Sequence, residues 1–361
     1  MAGLQAGMVY TLRDLALHGD FDQQTSDVIN MLSQANPMLE DAVWEQGNLD
    51  TGHRFMIIDG LPEINYRSIN QGVLPTRSSR RDITETCSLL EAVSQIDKEL
   101  VDIASNGAVF RMMEAQAHIE AMANKFASGL WYGTRIGDPR SIIGLTQSYT
   151  NLTGPAHRQI IDATPTSGTP SSDENASIWL IVWGQKGLHC IYPKNTRAGI
   201  EYIPGTVIDL DDVDPDGTHH GTYQGYRDRY KWRVGLCLKD FRQVGRICNI
   251  DMTRVRTFGT ANDVSPDLAD MLLSLTHRIH NLGDWGGQDT SPQGGLGVPS
   301  FSGKAVIYMN RDLKEFYERQ LMRKQNLALT INERTGKIIT SFKGIPIKVD
   351  DNLLSTEERV V

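Results

Sequence analysis

The sequence predicts an α+β chain of about two domains, and three patterns predict it. Helical periodicity runs from about Ala108 to Leu130, two-residue alternation fills Tyr226–Lys239, and helices alternate with strands after residue 256. At roughly 150 residues per domain, 361 residues fit that count. Hydrophobic residues make up 40%, enough for a sizeable core, which excludes disorder of the whole chain. Lys and Arg number 36 against 44 Asp and Glu, a formal charge of −8 that argues against a basic nucleic-acid binder. No run of 18 apolar residues occurs, and the first residues lack the basic start and long apolar core of a signal peptide, so no membrane is expected as a partner.

Residues 1–52 are loosely patterned, with a short helix expected from Asp27 to Leu32 before the break at Asn36-Pro37. Eight carboxylates stand here against Arg13 alone. The segment is too poor in apolar residues for a core of its own and is expected to lie on something else. Residues 53–96 read as extended. His53–Asp59 ends at a Gly60-Leu-Pro62 turn, Glu63–Ile69 alternates, and Gly72–Arg81 is a polar tip. Arg54, Arg67, Arg77, Arg80 and Arg81 outnumber Asp59 and Glu63, so a basic hairpin stands beside an acidic arm.

From 97 to 131, Phe110, Met113, Ala117, Met122, Phe126 and Leu130 keep helical spacing. Asn106-Gly107 is expected to separate two helices, and Gly133 to cap the second. Residues 134–176 are rich in Gly, Pro, Ser and Thr and read as a long surface excursion. Strands are expected at Trp179–Trp183, Gly187–Tyr192 and Tyr226–Lys239, the last continuing through Val244–Ile250, in a sheet with one wet face. Trp179 and Trp232 are expected in the core. Later come a helix over Pro266–Leu282, a Gly-rich loop over 283–303, and a strand over Lys304–Met309. A helix capped by Asn310 then covers Arg311–Lys324, and a final strand Gly344–Val349.

Chemistry is sparse. Asp212-Val-Asp214-Pro-Asp216-Gly217 opens like a calcium loop, yet its twelfth position is Tyr223 where a bidentate carboxylate is needed. The alternative reading is a polar hairpin tip between strands ending near Ile208 and starting near Tyr223. His219-His220 and the helical pair His277 and His280 are too few for a metal site. Cys87, Cys190, Cys237 and Cys248 form no Cys-x-x-Cys pair and read as buried reduced thiols. Neither glycine cluster, 283–287 or 294–297, has the Lys-Ser/Thr of a phosphate loop, and no G-x-S-x-G elbow occurs. The paired carboxylates Asp211-Asp212 and Glu357-Glu358 read as lying in polar loops or at the terminus, with no environment that would make an acid/base pair. No cofactor and no catalytic residue is expected, so the chain is not expected to be an enzyme.

Several stretches, in this order, carry a resemblance. They are Asn65-Tyr-Arg-Ser-Ile-Asn-Gln-Gly72, Cys87-Ser-Leu-Leu-Glu91, Phe110-Arg111, Leu130-Trp-Tyr-Gly133, Trp179-Leu-Ile-Val-Trp-Gly184, Ile191-Tyr-Pro-Lys194, Tyr230-Lys-Trp-Arg-Val-Gly-Leu236, Ile307-Tyr-Met-Asn310 and Phe342-Lys-Gly-Ile-Pro-Ile347. Across nearly the whole chain they resemble the major capsid proteins of tailed phages with the Hong Kong 97-type fold, the short-tailed phages above all.

The resemblance implies an N-terminal arm over 1–52, an extended β-hairpin loop over 53–96, a peripheral domain with spine helix and long strands over 97–255, and an axial α/β domain with the final strand and tail over 256–361. In the usual order the long peripheral strands follow the axial domain; here they precede it, which looks like a permuted variant. It also implies self-assembly into hexamers and pentamers of an icosahedral virion shell, built in the host cytoplasm around double-stranded DNA without sequence-specific binding. The implied partners are a scaffolding protein, a portal at one vertex and a cement protein. The expected inter-subunit contacts are Arg67, Arg77, Arg80 and Arg81 on the hairpin and Asp20 and Asp22 on the arm. Two alternatives stand beside this reading: an encapsulin-like compartment shell, and a calcium-dependent binding protein or hydrolase using the 212–217 loop.

Overall fold

A computed structural model describes residues 36–104, 106–154, 156–164, 173–213, 219–257, 266–279, 303–323, 331–332, 337–338 and 340–361. The expected helix at Asp27–Leu32, the tip at 214–218, His280, the Gly-rich loop up to residue 302, and both Asp20 and Asp22 lie outside the described residues.

In chain order the elements begin with α1 (Pro37–Asp41), β1 (Trp44–Gln46), β2 (Gly52–Gly60), β3 (Ser79–Thr86), β4 (Ser88–Asp97), α2 (Lys98–Ile103), α3 (Gly107–Tyr132), α4 (Leu145–Ser148), β5 (Ile160–Asp162) and β6 (Asn175–Trp183). There follow β7 (Leu188–Tyr192), β8 (Glu201–Ile203), β9 (Val207–Val213), β10 (His219–Leu238), β11 (Val244–Asp251) and α5 (Met252–Arg256). The last are α6 (Leu268–Arg278), β12 (Lys304–Met309), α7 (Arg311–Arg323), β13 (Ser341–Phe342) and β14 (Ile345–Val349). The chain divides into two compact units, whose described parts are 89–126 with 197–233, and 36–88 with 127–196 and 234–361.

The larger unit is built on β6. It pairs antiparallel with β12 on one side and β11 on the other; β14 lies parallel to β12, and β5 parallel to β11. All nine residues of β6 are buried, as are all eight of β11. The expected wet face is therefore absent here, because both faces are covered. One face is aliphatic: Ala176, Ile178, Leu180 and Val182 join Leu272 and Leu275 of α6 and Leu313 and Phe316 of α7. Each such buried Ile, Leu, Val or Phe side chain contributes about 1.5–3 kcal/mol. The other face is aromatic. Trp179 lies with its ring 5.6 Å from that of Trp131 and 5.8 Å from that of Tyr149, and Trp183 Nε1 donates to the Tyr308 hydroxyl at 2.9 Å.

The helices begin where capping chemistry places them. Asn310 Oδ1 accepts from the Leu313 amide at 2.8 Å and starts α7; Asp267 Oδ1 accepts from the Ala269 and Asp270 amides and starts α6. Over 141–163 the described residues of the segment 134–176 do not form the expected surface excursion. Ile142, Leu145, Tyr149, Ile160 and Ile161 are buried, since burial here repays the ordering of a loop-like composition. Val244–Ile250 does not continue the long strand. The chain turns at Asp240, whose carboxylate accepts from the Arg242 amide at 3.0 Å, and returns as a separate strand against β6. Gly133 is not a left-handed cap, as only Gly199 and Gly344 among the described glycines have positive φ. It is needed for close approach: a Cβ there would sit 2.4 Å from the Ile142 carbonyl oxygen.

The smaller unit holds most of α3, 26 residues and about 39 Å long at ~1.5 Å per residue. The helix is set apart from α2 as the Asn106-Gly107 break predicts. Against it, alternate residues of β10 turn inward. The ring of Phe126 lies 4.7 Å from Trp232, that of His118 stacks 5.4 Å from Tyr230, and Arg111 Nη2 donates to Asp228 Oδ1 at 2.7 Å. Trp179 and Trp232 are both buried, as expected. Strands β9 and β10 pair from Val207/Tyr226 to Val213/His219, so Asp211-Asp212 lies in a strand rather than in a loop. Exposed positions of a two-stranded ladder tolerate such charges.

Candidate assembly surface

Strands β2 and β3 form an antiparallel hairpin of their own, in register from Gly52↔Thr86 to Gly60↔Ser79, with residues 61–78 connecting them. Strand β4 leaves the hairpin and joins the sheet of β10. The alternation at Glu63–Ile69 forms no strand, since nothing pairs with it among the described residues.

The root of the hairpin is pinned. Asn48 brackets Arg54, its Nδ2 donating to the Arg54 carbonyl at 2.6 Å while its Oδ1 accepts the Arg54 amide at 2.7 Å. Arg135 donates to Thr86 Oγ1 and to the Ser141 carbonyl. The Cys87 amide donates to the Thr51 carbonyl at 2.9 Å. His53 and His189 are buried beneath, with rings edge to face 6.1 Å apart. Glu45 Oε2 lies 3.1 Å from His189 Nε2 and accepts from Lys239 Nζ at 3.2 Å. Burial, and then the Lys239 charge, hold both imidazoles below their ordinary range, with Glu45 pulling the other way.

Beyond the root the arm is bare. Arg67, Arg77, Arg80 and Arg81 are all exposed, while Arg54 is ion-paired with Asp82. The connection also exposes large apolar side chains: Leu61, Ile64, Tyr66, Ile69 and Leu74 are each more than 80% accessible. Reading the arm by charge alone missed this, although its alternation of Ile64, Tyr66 and Ile69 was visible. Contiguous apolar exposure on this scale marks a surface made to be covered.

Among the described residues nothing else converges as a reaction centre would. Among the described residues no three His, Cys, Asp or Glu side chains come together as a metal ion requires. His277 Nε2 lies 3.5 Å from Lys343 Nζ, and Asp209 and Asp211 are exposed on β9. The four cysteines are free, and burial pushes Cys87 up to about 11 and Cys237 and Cys248 up to about 12. No helix among the described residues is long and apolar enough to cross a membrane.

A chain that buries its core so fully and still carries a pinned, bare arm is an assembly subunit. Comparison with known proteins gives the class its name. Residues 20–361 match the family described as major capsid protein GP7, and the chain belongs to that family. It is a phage capsid protein of the Hong Kong 97-type fold, one of many copies that form a virion shell. Its structure is similar to that of bacteriophage Epsilon15, at 28% sequence identity, a TM-score of 0.74, and 99% of each chain covered. The capsid of a native GTA particle (10% identity, TM-score 0.40, 62% of this chain and 94% of that one) is also similar. So is the holo-SrpI encapsulin complex of Synechococcus elongatus PCC 7942 (11%, TM-score 0.40, 68% and 98%). No curated protein sequence matches the chain. The family match favours the phage shell over the compartment-shell and calcium-loop alternatives.

Proposed function

We propose that the chain assembles as hexamers and pentamers of an icosahedral shell in the host cytoplasm, around double-stranded DNA that it does not read by sequence. Residues 1–52 act as arm, 53–96 as the loop that overlaps a neighbour, 97–255 as the peripheral domain and 256–361 as the axial domain. A scaffolding protein guides closure, a portal occupies one vertex, and a cement protein clamps the outside. The role is structural and needs no catalytic group. The observation that carries this reading is the hairpin: a root fixed by side-chain-to-backbone hydrogen bonds and an arm whose arginines and apolar tip are exposed. Arg67, Arg77, Arg80 and Arg81 contact acidic groups of another copy, and Asp20 and Asp22 contribute on the acidic arm.

Many individually modest contacts of this kind close a shell from identical chains. Replacing Arg77, Arg80 and Arg81 together with Glu should abolish closed shells in electron micrographs and leave sedimenting subunits of unchanged circular dichroism. Normal shells from that variant would sink the assignment.

A further inference from the structure

The smaller unit carries a second uncovered surface. On β10, Asp228, Tyr230 and Trp232 turn toward α3, so the alternate residues Arg227, Arg229, Lys231 and Arg233 fall on the opposite face of the sheet. They form a row of four cations about 20 Å long, at ~3.3 Å per residue. Glu91 of β4 lies between two of them, 3.6 Å from Arg229 and 4.0 Å from Lys231, and Glu201 of β8 meets Arg233 at 3.2 Å. Two carboxylates thus face four cations. Leu89 and Val93 of β4 and Ile203 of β8 border the row and are 54%, 43% and 39% accessible.

We propose that this face docks the acidic segment Asp14–Leu32 of a second copy of the chain. Charge and apolarity both fit. Asp14, Asp20, Asp22 and Asp27 occur there with no cation among them, interleaved with Leu15, Leu17, Phe21, Val28, Ile29 and Leu32. A face of cations bordered by apolar side chains matches an acidic segment with apolar residues between its charges. The neighbour's hairpin is excluded as occupant by its own arginines. Nucleic acid fits less well, because a phosphate backbone has no use for Leu89, Val93 and Ile203 and is repelled by Glu91 and Glu201. The proposal rests on the reading that Asp20 and Asp22 are inter-subunit contacts, and names the surface they meet.

Lys231 makes the test direct, being the one lysine in the row. Particles assembled from equal amounts of light and heavy-isotope full-length chains, with the phage's own assembly partners, are treated with a zero-length carbodiimide and digested. The expected product joins Lys231 to the peptide holding Asp20 and Asp22, half of it as light–heavy pairs, and disappears in Lys231→Arg. Light–heavy products that join Asp20 or Asp22 to other lysines only would overturn this docking surface and leave the inter-subunit reading standing. Products confined to single copies would overturn both. A charge exchange gives an independent readout. Arg229→Glu with Lys231→Glu, or Asp20→Lys with Asp22→Lys, should each lower the yield of closed shells about tenfold, and combining all four should restore most of it. Shells that close normally in the first variant but hold less nucleic acid would identify the row as a genome contact and overturn the proposal.

Discussion

At the scale of single residues, Glu357 shows how a tail becomes part of a core. Its carboxylate accepts from Arg246 Nη2 at 2.8 Å, from the Tyr132 hydroxyl at 2.6 Å and from Ser177 Oγ. Arg246 also donates from Nη1 to the Tyr149 carbonyl at 2.8 Å and from Nε to Ser177 Oγ at 3.0 Å, with its guanidinium 5.0 Å above the Trp179 ring. Both charges are nearly inaccessible. Burial first, then the Glu357 charge, push the Tyr132 hydroxyl upward, so it stays a donor. Removing one partner of such a pair strands the other in a poor solvent for charge. Glu357→Ala should therefore cost about 3–5 kcal/mol in urea unfolding of the subunit. Glu357→Gln should cost less, and Arg246→Met combined with Glu357→Leu should recover much of the loss. A Glu357→Ala subunit with an unchanged urea midpoint would show that the pair is not what holds the tail. None of this was legible in the sequence, where Glu357-Glu358 read as a carboxylate pair in a polar loop or at the terminus, because residues 177, 246 and 357 meet only through the fold. The same holds for Asp41. Burial alone would raise its carboxyl, but Lys304, Lys348 and Tyr308, converging from two strands, hold it below the ordinary value.

Elements followed the sequence where local chemistry decides and departed from it where partners decide. Lys304–Met309 is found as expected, and α7 starts at its Asn310 cap, because strand alternation and a capping amide are local signals. The break at Asn106 is local too. By contrast, a second buried face for β6 depends on Trp131 and Tyr149 from elsewhere, and the separate placement of β11 depends on its pairing with β6. Of the expected contact residues, the four arginines were legible as a cluster, while the pinned root beneath them was not. Gly52 is part of that root. A Cβ there would lie 2.0 Å from the Glu85 carbonyl oxygen, an approach that backbone cannot relieve without breaking the first rung of the hairpin. Gly52→Ala should therefore loosen β2 and β3 selectively. Hydrogen exchange should rise at least about tenfold across 52–60 and 79–86 while β6 and β11 keep their protection. Uniform protection in that variant would mean the root tolerates the methyl group and the arm's register is set elsewhere.

For the molecule as a whole, acid is the solvent variable to which the buried groups are most sensitive. His189 is fully buried, with Glu45 Oε2 3.1 Å from its Nε2. Burial, then Lys239, lower it from 6.5 to about 4, against the pull of Glu45. His53 is shifted the same way by the same first two causes. A base whose folded value is depressed is neutral in the fold where the unfolded chain already takes up a proton. Stability is then full above the unfolded value of 6.5 and falls as the pH drops below it, at about 1.4 kcal/mol per pH unit for His189. For His189 the loss continues to about 4 and reaches about 3 kcal/mol. The carboxyls of Asp350 and Glu85, raised chiefly by burial, act oppositely and offset part of it as the pH falls through their raised values. Asp41, held low, adds its own loss only below the ordinary carboxylate value of 3.8. Between pH 6.5 and 5 His189 therefore loses stability throughout, and it sits at the hairpin's root, so acid should weaken that root. Urea midpoints of the subunit measured across that range should fall steadily. His189→Phe, which keeps a buried ring and removes the titrating group, should flatten the slope by about one proton's worth. A variant as acid-sensitive as the original would place the sensitivity in other groups and leave the root of the arm indifferent to pH.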